Sequence, residues 1–316
     1  MKAIAETIKN SRRVAILGHI SEDADSVGSS LAMRRVLMNM GKSADIYFSA
    51  PLEQRLAFLN ADGIVWDGEV KEYDLCLCLD CGDMGRLGKR SAIFDAAERT
   101  VSIDHHATNT NFAQQNFVVP DAAATGEILY DVICALGAEV DKETAEYLFI
   151  AIASDTGSFK YSNVSPKTMR IAAQLLEKGI DNAYISRMLF DTEPENVMHF
   201  KGYLMSRVQT MFDGKLSVIA VKAEEFERFG IDEKDTGDIV NIARMTAGAE
   251  IAVSVRETSD KTKISFRSNG KYDVGALAQK FGGGGHKMAS GAAVSGADFE
   301  EVCKKVTDTC GEMLDG

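Results

Sequence analysis

No apolar run in this sequence approaches the ~18 residues that a helical membrane span needs. The opening stretch, MKAIAETIKNSRRVAILGH, has neither the uninterrupted apolar block nor the small-residue cleavage site of a secretory signal, so the expected location is the cytoplasm. Proline is scarce, at 4 residues, and low-complexity tracts and internal repeats are missing. With 45% hydrophobic and 26% charged residues, the composition is that of a folded globular chain. Positive charge is in deficit: 35 Lys and Arg face 47 Asp and Glu, for a net charge of -12. A sequence-independent binder of long nucleic acid needs a basic stripe to displace counterions, and the balance argues against one. It leaves room for a small anionic ligand held by a few cations in a pocket.

Cysteine supplies no framework either. Its six copies are Cys76, Cys78, Cys81, Cys134, Cys303 and Cys310. The run Cys76-Leu-Cys78-Leu-Asp-Cys81 invites a zinc reading, yet a structural zinc usually takes a second ligand pair, and no other Cys-x-x-Cys is present. Cys76 and Cys78 alternate with Leu75, Leu77 and Leu79, as small hydrophobes do in a buried strand. No disulfide is expected.

What is present is a change of pattern along the chain. The 316 residues exceed one ordinary core and fit two domains. Strand-like RVAILGH, SADIYFS, YDLCLCLD and TVSID alternate with helix-like SVGSSLAMRRVLMNMG, TGEILYDVICALG and KETAEYLFIAIASD. Alternating βα units predict a parallel sheet covered by helices on both faces. Ser165-Pro166 starts a further helix, with serine as N-cap and proline in the first turn. The stretch from Ile185 to Phe212 reads as helical material broken near Pro194, with no Gly/Ser linker. Beyond it, MFDGKLSVIAV reads as a hairpin around Asp213-Gly214. EIAVSVRET and KTKISFRS follow as a strand pair, then DVGALAQKF, a glycine run, SGAAVS and a closing amphipathic helix. The expected fold class is α/β: an N-terminal parallel-sheet, Rossmann-like domain over residues 1–190, a helical connector over 191–210, and a smaller mixed α+β domain over 211–316.

The chain has only five histidines, and most of them fall where apolar runs stop. VAIL ends at Gly18-His19, with Asp23 and Asp25 close behind. LCLCL ends at Asp80. VSI ends at Asp104-His105-His106, and YLFIAIAS ends at Asp155. In an open parallel sheet, ligands bind beyond the carboxyl ends of the strands, so these segments converge on one edge. Gathered carboxylates and imidazoles would force one another's protonation unless cations neutralise them. Oxygen and imidazole donors without thiolate suit Mn²⁺, with Mg²⁺, Co²⁺ or Zn²⁺ as alternatives. Six ligands exceed what one catalytic metal takes, and two metals about 3.5–4 Å apart sharing a carboxylate fit better. Asp80, alone at its strand end, is the candidate bridge. Any one of these residues by itself would read as a helix cap or a surface histidine.

In the second domain, Gly283, Gly284 and Gly285 belong to a four-glycine run whose backbone N–H groups are expected to form a concave anion site, with His286 and Lys287 adding charge. The bland alternative is a turn. Lys263, Ser265 and Arg267 share one strand face by period-two alternation, which is either a solvated face or a ligand face. His199 reads as an ordinary helix residue. Arg86 either touches substrate or caps a strand end.

Taken together, Gly18-His19-Ile-Ser-Glu-Asp23-Ala-Asp25-Ser26, Asp80, Asp104-His105-His106 and Asp155 resemble the four motifs of the DHH phosphoesterase superfamily. Phe281-Gly-Gly-Gly-Gly285-His286 and Ala289-Ser-Gly291 resemble the signature of the DHH-associated C-terminal domain. Length and domain order are similar to the stand-alone nanoRNase/pAp-phosphatase branch. The second domain lacks the Ser-Arg-Lys motif of family II pyrophosphatases. The chain also lacks the length of RecJ exonucleases and the membrane and sensor segments of membrane-bound cyclic-dinucleotide phosphodiesterases. One departure stands out: the first motif usually reads His-x-x-Pro-Asp-x-Asp, and here Glu22 replaces the proline, which is expected to loosen the loop and add a carboxylate near the metals.

The resemblance implies roles. His19, Asp23 and Asp80 hold one metal; Asp25, Asp80, His105 and Asp155 hold the other. His106 contacts phosphate and can donate a proton to the leaving oxygen. Asp104 fixes an imidazole from behind, and Arg267 forks onto a terminal phosphate. A water activated by both cations attacks phosphorus in line, with no covalent protein intermediate. The expected substrates are short RNA oligonucleotides, cleaved to mononucleotides, and 3′-phosphoadenosine 5′-phosphate (pAp), with long duplex nucleic acid and membranes excluded as partners and a homodimer left open. The rival readings are a soluble phosphodiesterase for cyclic or linear dinucleotides and a nucleotide-binding regulator without catalysis.

Overall fold

The structure, a computed structural model, describes residues 1–232, 236 and 239–315. It divides into two units, Met1–Thr192 and Glu193–Gly316. Among the described residues no helix is long and apolar enough to cross a membrane.

The first unit is built on six parallel strands. These are β1 (Arg13–Leu17), β2 (Ser43–Phe48), β3 (Ile64–Val65), β4 (Leu75–Leu79), β5 (Thr100–Asp104) and β6 (Gln115–Val118), in the order β3-β2-β1-β4-β5-β6. This is the doubly wound order, in which the chain winds outward in both directions from a switch point between β1 and β4. Strand β4 explains its own composition. Leu75, Leu77 and Leu79 enter one core layer, while Cys76 and Cys78 enter the layer on the opposite face with Ala15 and Leu17. All five residues are buried, so an unbroken apolar run is required. The six cysteines are free thiols, and those of β4 act as small core hydrophobes.

Helices cover both faces. Helix α1 (Lys2–Asn10), an amphipathic segment that the sequence reading passed over, buries Ile4, Ala5 and Ile8. Helix α2 (Ala24–Asn39) is capped by Asp23, which accepts from Ser26 N at 3.0 Å. It packs on α4 (Thr125–Leu136) and α5 (Lys142–Asp155), with α3 (Ser91–Ala96) on the other side of the sheet. Small residues make this approach close. A Cβ on Gly28 of α2 would lie 2.7 Å from the Tyr147 carbonyl oxygen of α5, and one on Gly126 of α4 would lie 2.6 Å from Ala151 Cβ. Asp25 stands one turn before Gly28 and Asp155 one turn after Ala151, so the contact that shortens the helix spacing also brings those two carboxylates together.

Helices α6 (Pro166–Leu176) and α7 (Asn182–Ser186) complete the unit. Helix α6 opens with a capping box between Ser165 and Thr168 and proline in the first turn, as its sequence predicts.

The second unit carries a mixed sheet of β7 (Gln209–Met211), β8 (Leu216–Val221), β9 (Ile251–Glu257), β10 (Thr262–Ser268), β11 (Gly284–Gly285) and β12 (Ala289–Val294), in the order β11-β12-β10-β9-β8-β7. Among the described residues of this sheet, only β8 and β9 pair in parallel. Helices α11 (Val274–Gln279) and α12 (Phe299–Asp315) close one core layer. Helices α8 (Glu195–Met205), α9 (Ala223–Phe229) and α10 (Val240–Arg244) close the other. Residues 191–210, expected to form a separate connector, are divided between neighbours instead. Phe200 and Leu204, one helical turn apart on α8, bury against Ile219 and Val221 of β8, so α8 belongs to the second unit. Strand β10 alternates as read from sequence: Thr262, Ile264, Phe266 and Ser268 are buried, and Lys263, Ser265 and Arg267 are half-buried.

Replacing Gly28 with alanine drives a methyl group into backbone that cannot rotate away. The expected loss is ~1–3 kcal/mol of first-unit stability. Thermal or urea unfolding checks it, and an unchanged melting transition would show that α2 and α5 can separate without loss.

Candidate metal centre

The switch point between β1 and β4 is where the chemistry-bearing side chains meet. His19 lies two residues past β1, Asp80 directly follows β4, and Asp104 ends β5 with His105 and His106 behind it. Asp23 and Asp25 arrive from the start of α2, and Asp155 from the last residue of α5.

Three overlapping sets of donors result, each with ligand atoms within 4.8 Å of one another: His19, Asp23 and Asp80; Asp25, His105 and Asp155; Asp80, His105 and His106. His19 Nε2 stands 3.5 Å from Asp23 Oδ2 and 3.6 Å from Asp80 Oδ2. His105 Nε2 stands 3.3 Å from Asp155 Oδ2 and 3.6 Å from Asp80 Oδ1. Asp80 thus presents one oxygen to each group. It is 2% exposed, and its backbone sits at φ 57°, a left-handed conformation that costs a non-glycine residue roughly 1 kcal/mol or more. Thr125 Oγ1 donates to its Oδ1 at 3.0 Å.

The other donors are oriented from behind. His19 Nδ1 donates to the Ile20 carbonyl at 2.7 Å, which turns Nε2 toward the carboxylates. His105 Nδ1 lies 3.3 Å from the Ala122 carbonyl, the same arrangement. Asp25 is fully buried at the start of α4, its Oδ2 accepting from Thr125 N at 2.7 Å and its Oδ1 from Gly126 N at 3.0 Å. Asp104 accepts from His106 Nδ1 at 2.7 Å, from His105 N at 2.9 Å and from Asn109 Nδ2 at 2.6 Å. These bonds make Asp104 a rear support for His106, with its carboxyl below the usual carboxylate range: burial opposes ionisation, and the bond from His106 overcomes it. His106 is correspondingly raised, first by Asp104.

The remaining electrostatics are in conflict. Burial, with Asp80 and Asp23 alongside, pushes Asp25 well above the ordinary carboxylate range. Burial, with Asp25, Asp23 and Asp80 nearby, does the same to Asp155. Burial works against charge on His19, yet the Asp23 and Asp80 carboxylates carry its pKa up to about 10. Carboxylates forced toward the neutral state, opposite imidazole nitrogens whose other ring atoms are fixed to carbonyls, fit bound divalent cations. The donors are oxygen and imidazole nitrogen, the set for Mn²⁺, Mg²⁺ or Co²⁺.

Several supporting residues were not legible beforehand. Asn109, five positions after Asp104, also donates to the Cys81 carbonyl at 3.1 Å. Asn163 Nδ2 bridges the carbonyls of Ala123 and Asp155 at 3.0 Å each, and so ties the end of α5 to the segment beside His105. Glu22 corrects an expectation. Its carboxylate turns away from the metal donors to a buried ion pair with Arg90 and to Ser49, so the loop is braced where it was expected to be loosened. Arg86 is exposed, and its carbonyl accepts from Ile20 N at 2.7 Å.

In the second unit, Gly284 and Gly285 form an edge strand paired with Gly291 and Ser290, and His286 and Lys287 lie exposed in the following turn. The expected open nest is corrected at Gly283, whose N–H is committed to the Ala278 carbonyl at 2.9 Å as part of a helix end. Its lack of a side chain has a packing reason, since a Cβ would lie 2.1 Å from the Gly291 carbonyl oxygen. Arg267 of β10 pairs with Ala289 of β12, and its side chain donates to its neighbour Phe266 O at 3.0 Å. His199 is exposed on α8.

Asn109→Ala removes one of the bonds that hold Asp104 without touching a donor. It is expected to lower turnover of a phosphodiester about 10–100-fold while leaving the fold intact by circular dichroism. Undiminished turnover would show that Asp104 does not need this support.

Comparison with known proteins gives a consistent assignment. Residues 13–152 match the DHH family, N-terminal domain, and residues 213–312 match the DHHA1 domain. The chain is 31% identical to the bifunctional oligoribonuclease and PAP phosphatase NrnA of Thermus thermophilus, over 99% of this chain and 94% of that protein. A protein of the same name from Bacillus subtilis is 26% identical, over 91% of this chain and 93% of that one. An exopolyphosphatase-related protein from Bacteroides fragilis, solved by crystallography, superposes with a TM-score of 0.92 at 27% identity, covering 99% of this chain and 97% of that one. The chain therefore belongs to the DHH family of phosphoesterases, in the NrnA-like branch that joins a DHH domain to a DHHA1 domain.

Proposed function

We propose that this protein is a divalent-metal phosphoesterase that hydrolyses oligoribonucleotides of a few residues to mononucleotides and removes the 3′-phosphate of pAp. The observation that carries the chemistry is the convergence of His19, Asp23, Asp25, Asp80, His105 and Asp155 within ligand distance at the sheet switch point. The substrate classes rest on full-length similarity to proteins named for those two activities.

His19, Asp23 and Asp80 would hold one cation, and Asp25, Asp80, His105 and Asp155 the other, Mn²⁺ being the best match to the donors. When bound, such cations supply Lewis acidity to phosphoryl oxygens and make water nucleophilic near neutral pH. The protein does the rest. Asp80 sets the separation of the two donor groups because its two oxygens face different histidines. His106, anchored through Nδ1 to Asp104, offers Nε2 to the leaving oxygen as proton donor. Arg267, Gly284, Gly285, His286 and Lys287 recognise phosphate, with guanidinium and ammonium charge compensating an otherwise acidic chain. That acidity disfavours long polymers, whose binding depends on many basic contacts.

A panel of dinucleotide, long single strand, pAp and cyclic di-AMP in Mn²⁺ tests the substrate. Dinucleotide and pAp are expected to be turned over best, and preference for the long strand would refute the short-substrate reading. Asp80→Ala is expected to abolish turnover and metal retention together. Arg267→Ala is expected to raise KM about 10–100-fold with kcat little changed, the loss of a charge-assisted phosphate contact. A fall in kcat alone would remove Arg267 from recognition.

A further inference from the structure

We propose that Glu22 and Arg90 are a positioning pair, which sets the placement of the first cation's donors by fastening the loop after β1 to the end of β2 and to the turn that follows β4. The inference rests on the metal-dependent reading above and concerns residues that hold no ligand themselves.

Glu22 stands between His19 and Asp23 in sequence and is 6% exposed. Its Oε1 accepts from Ser49 N at 2.7 Å and from Arg90 Nη1 at 2.7 Å, and its Oε2 accepts from Ser49 Oγ at 2.8 Å. Arg90, 1% exposed, spends its other donors on backbone: Nη1 to Tyr47 O at 2.7 Å, Nη2 to Gly18 O at 3.0 Å and Nε to Leu87 O at 3.3 Å. One guanidinium therefore joins the residue before His19, the end of β2 and the turn that follows β4 and Asp80. The same loop is pinned again where Ile20 N donates to Arg86 O at 2.7 Å. Between these fixings Ser21 is held at φ 58°, a conformation that a serine keeps only where its surroundings impose it.

The usual proline of this motif would stiffen the loop by locking φ. Here a carboxylate and a buried guanidinium do so through side-chain bonds. A buried ion pair contributes little net stability compared with an apolar replacement, but removing one partner strands a buried charge. Its value lies in registry. Gly18 and Glu22 bracket His19, so a shift of either displaces the imidazole relative to Asp23 and Asp80.

Calorimetric titration of the metal-stripped, full-length protein with Mn²⁺ tests this directly. Glu22→Gln keeps an acceptor for Ser49 N and Arg90 Nη1 but removes the charge that compensates the buried guanidinium. Mn²⁺ affinity is expected to fall about tenfold or more. On a dinucleotide, kcat is expected to drop at limiting metal and recover at saturating Mn²⁺, with KM within about twofold of wild type. Wild-type Mn²⁺ affinity in the variant overturns the proposal. Should Glu22→Gln fail to fold, Ser49→Ala removes one hydroxyl bond to Glu22 and is expected to weaken Mn²⁺ binding about threefold; unchanged affinity there overturns the proposal equally. If the wild-type protein takes up no Mn²⁺, the metal reading itself falls and the positioning role with it, a result distinct from normal uptake by wild type and variant alike.

Discussion

The first unit depends on a repulsion. Asp23, Asp25, Asp80 and Asp155 share one rim of the sheet, and burial and mutual proximity push Asp25 and Asp155 toward protonation. Apolar packing does not compensate for that. Only divalent cations match both the charge and the donor geometry. Each group that brings a carboxylate here raises the electrostatic cost for the others and also deepens the potential that attracts a cation. The site is best understood as one electrostatic object with Asp80 at its centre.

Building such an object requires backbones to approach closely, and glycine makes that approach. Gly28 lets α2 settle against the carbonyl of Tyr147, and Gly126 lets α4 meet Ala151. Those contacts place Asp25 under the start of α4, where two amides receive its oxygens. The positive end of α4 thus offsets part of the repulsion before any cation binds. The parallel sheet supplies the rest by aiming β1, β4 and β5 at the same edge, so residues far apart in sequence arrive with the separation that strand spacing dictates.

What could be read from the sequence was what strand ends and periodicity encode. LCLCL announced a two-faced strand, and the placement of His19, Asp80, Asp104 and Asp155 at the ends of apolar runs pointed to the rim where they are found. The supporting contacts were illegible for a physical reason. Asn109, Asn163 and Thr125 act through bonds whose partners are fixed by loop conformation, which periodicity does not specify. Glu22 was misjudged because its partner, Arg90, is 68 residues away and no local pattern links them. The glycine run was expected to expose its amides, but Gly283 is a helix end and Gly284–Gly285 an edge strand; Gly291 O leaves no room for a side chain at Gly283, and Ser290 none at Gly285.

The donors are also held by the protein's own backbone. After Asp155 the chain enters a run in which Gly157, Ser158 and Phe159 have φ of 55, 60 and 62°. For the two non-glycine residues such a turn costs roughly 1–2 kcal/mol each. It is held by Ser158 N to Ala153 O at 2.8 Å and Phe159 N to Thr156 Oγ1 at 3.1 Å, while Asn163 fastens the Asp155 carbonyl from the far side. Asp25, His19, His105 and Asp155 are thus fixed by bonds to backbone or by the backbone itself, and a cation need not order them. Strain and repulsion are stored in folding, and cation binding relieves the repulsive part.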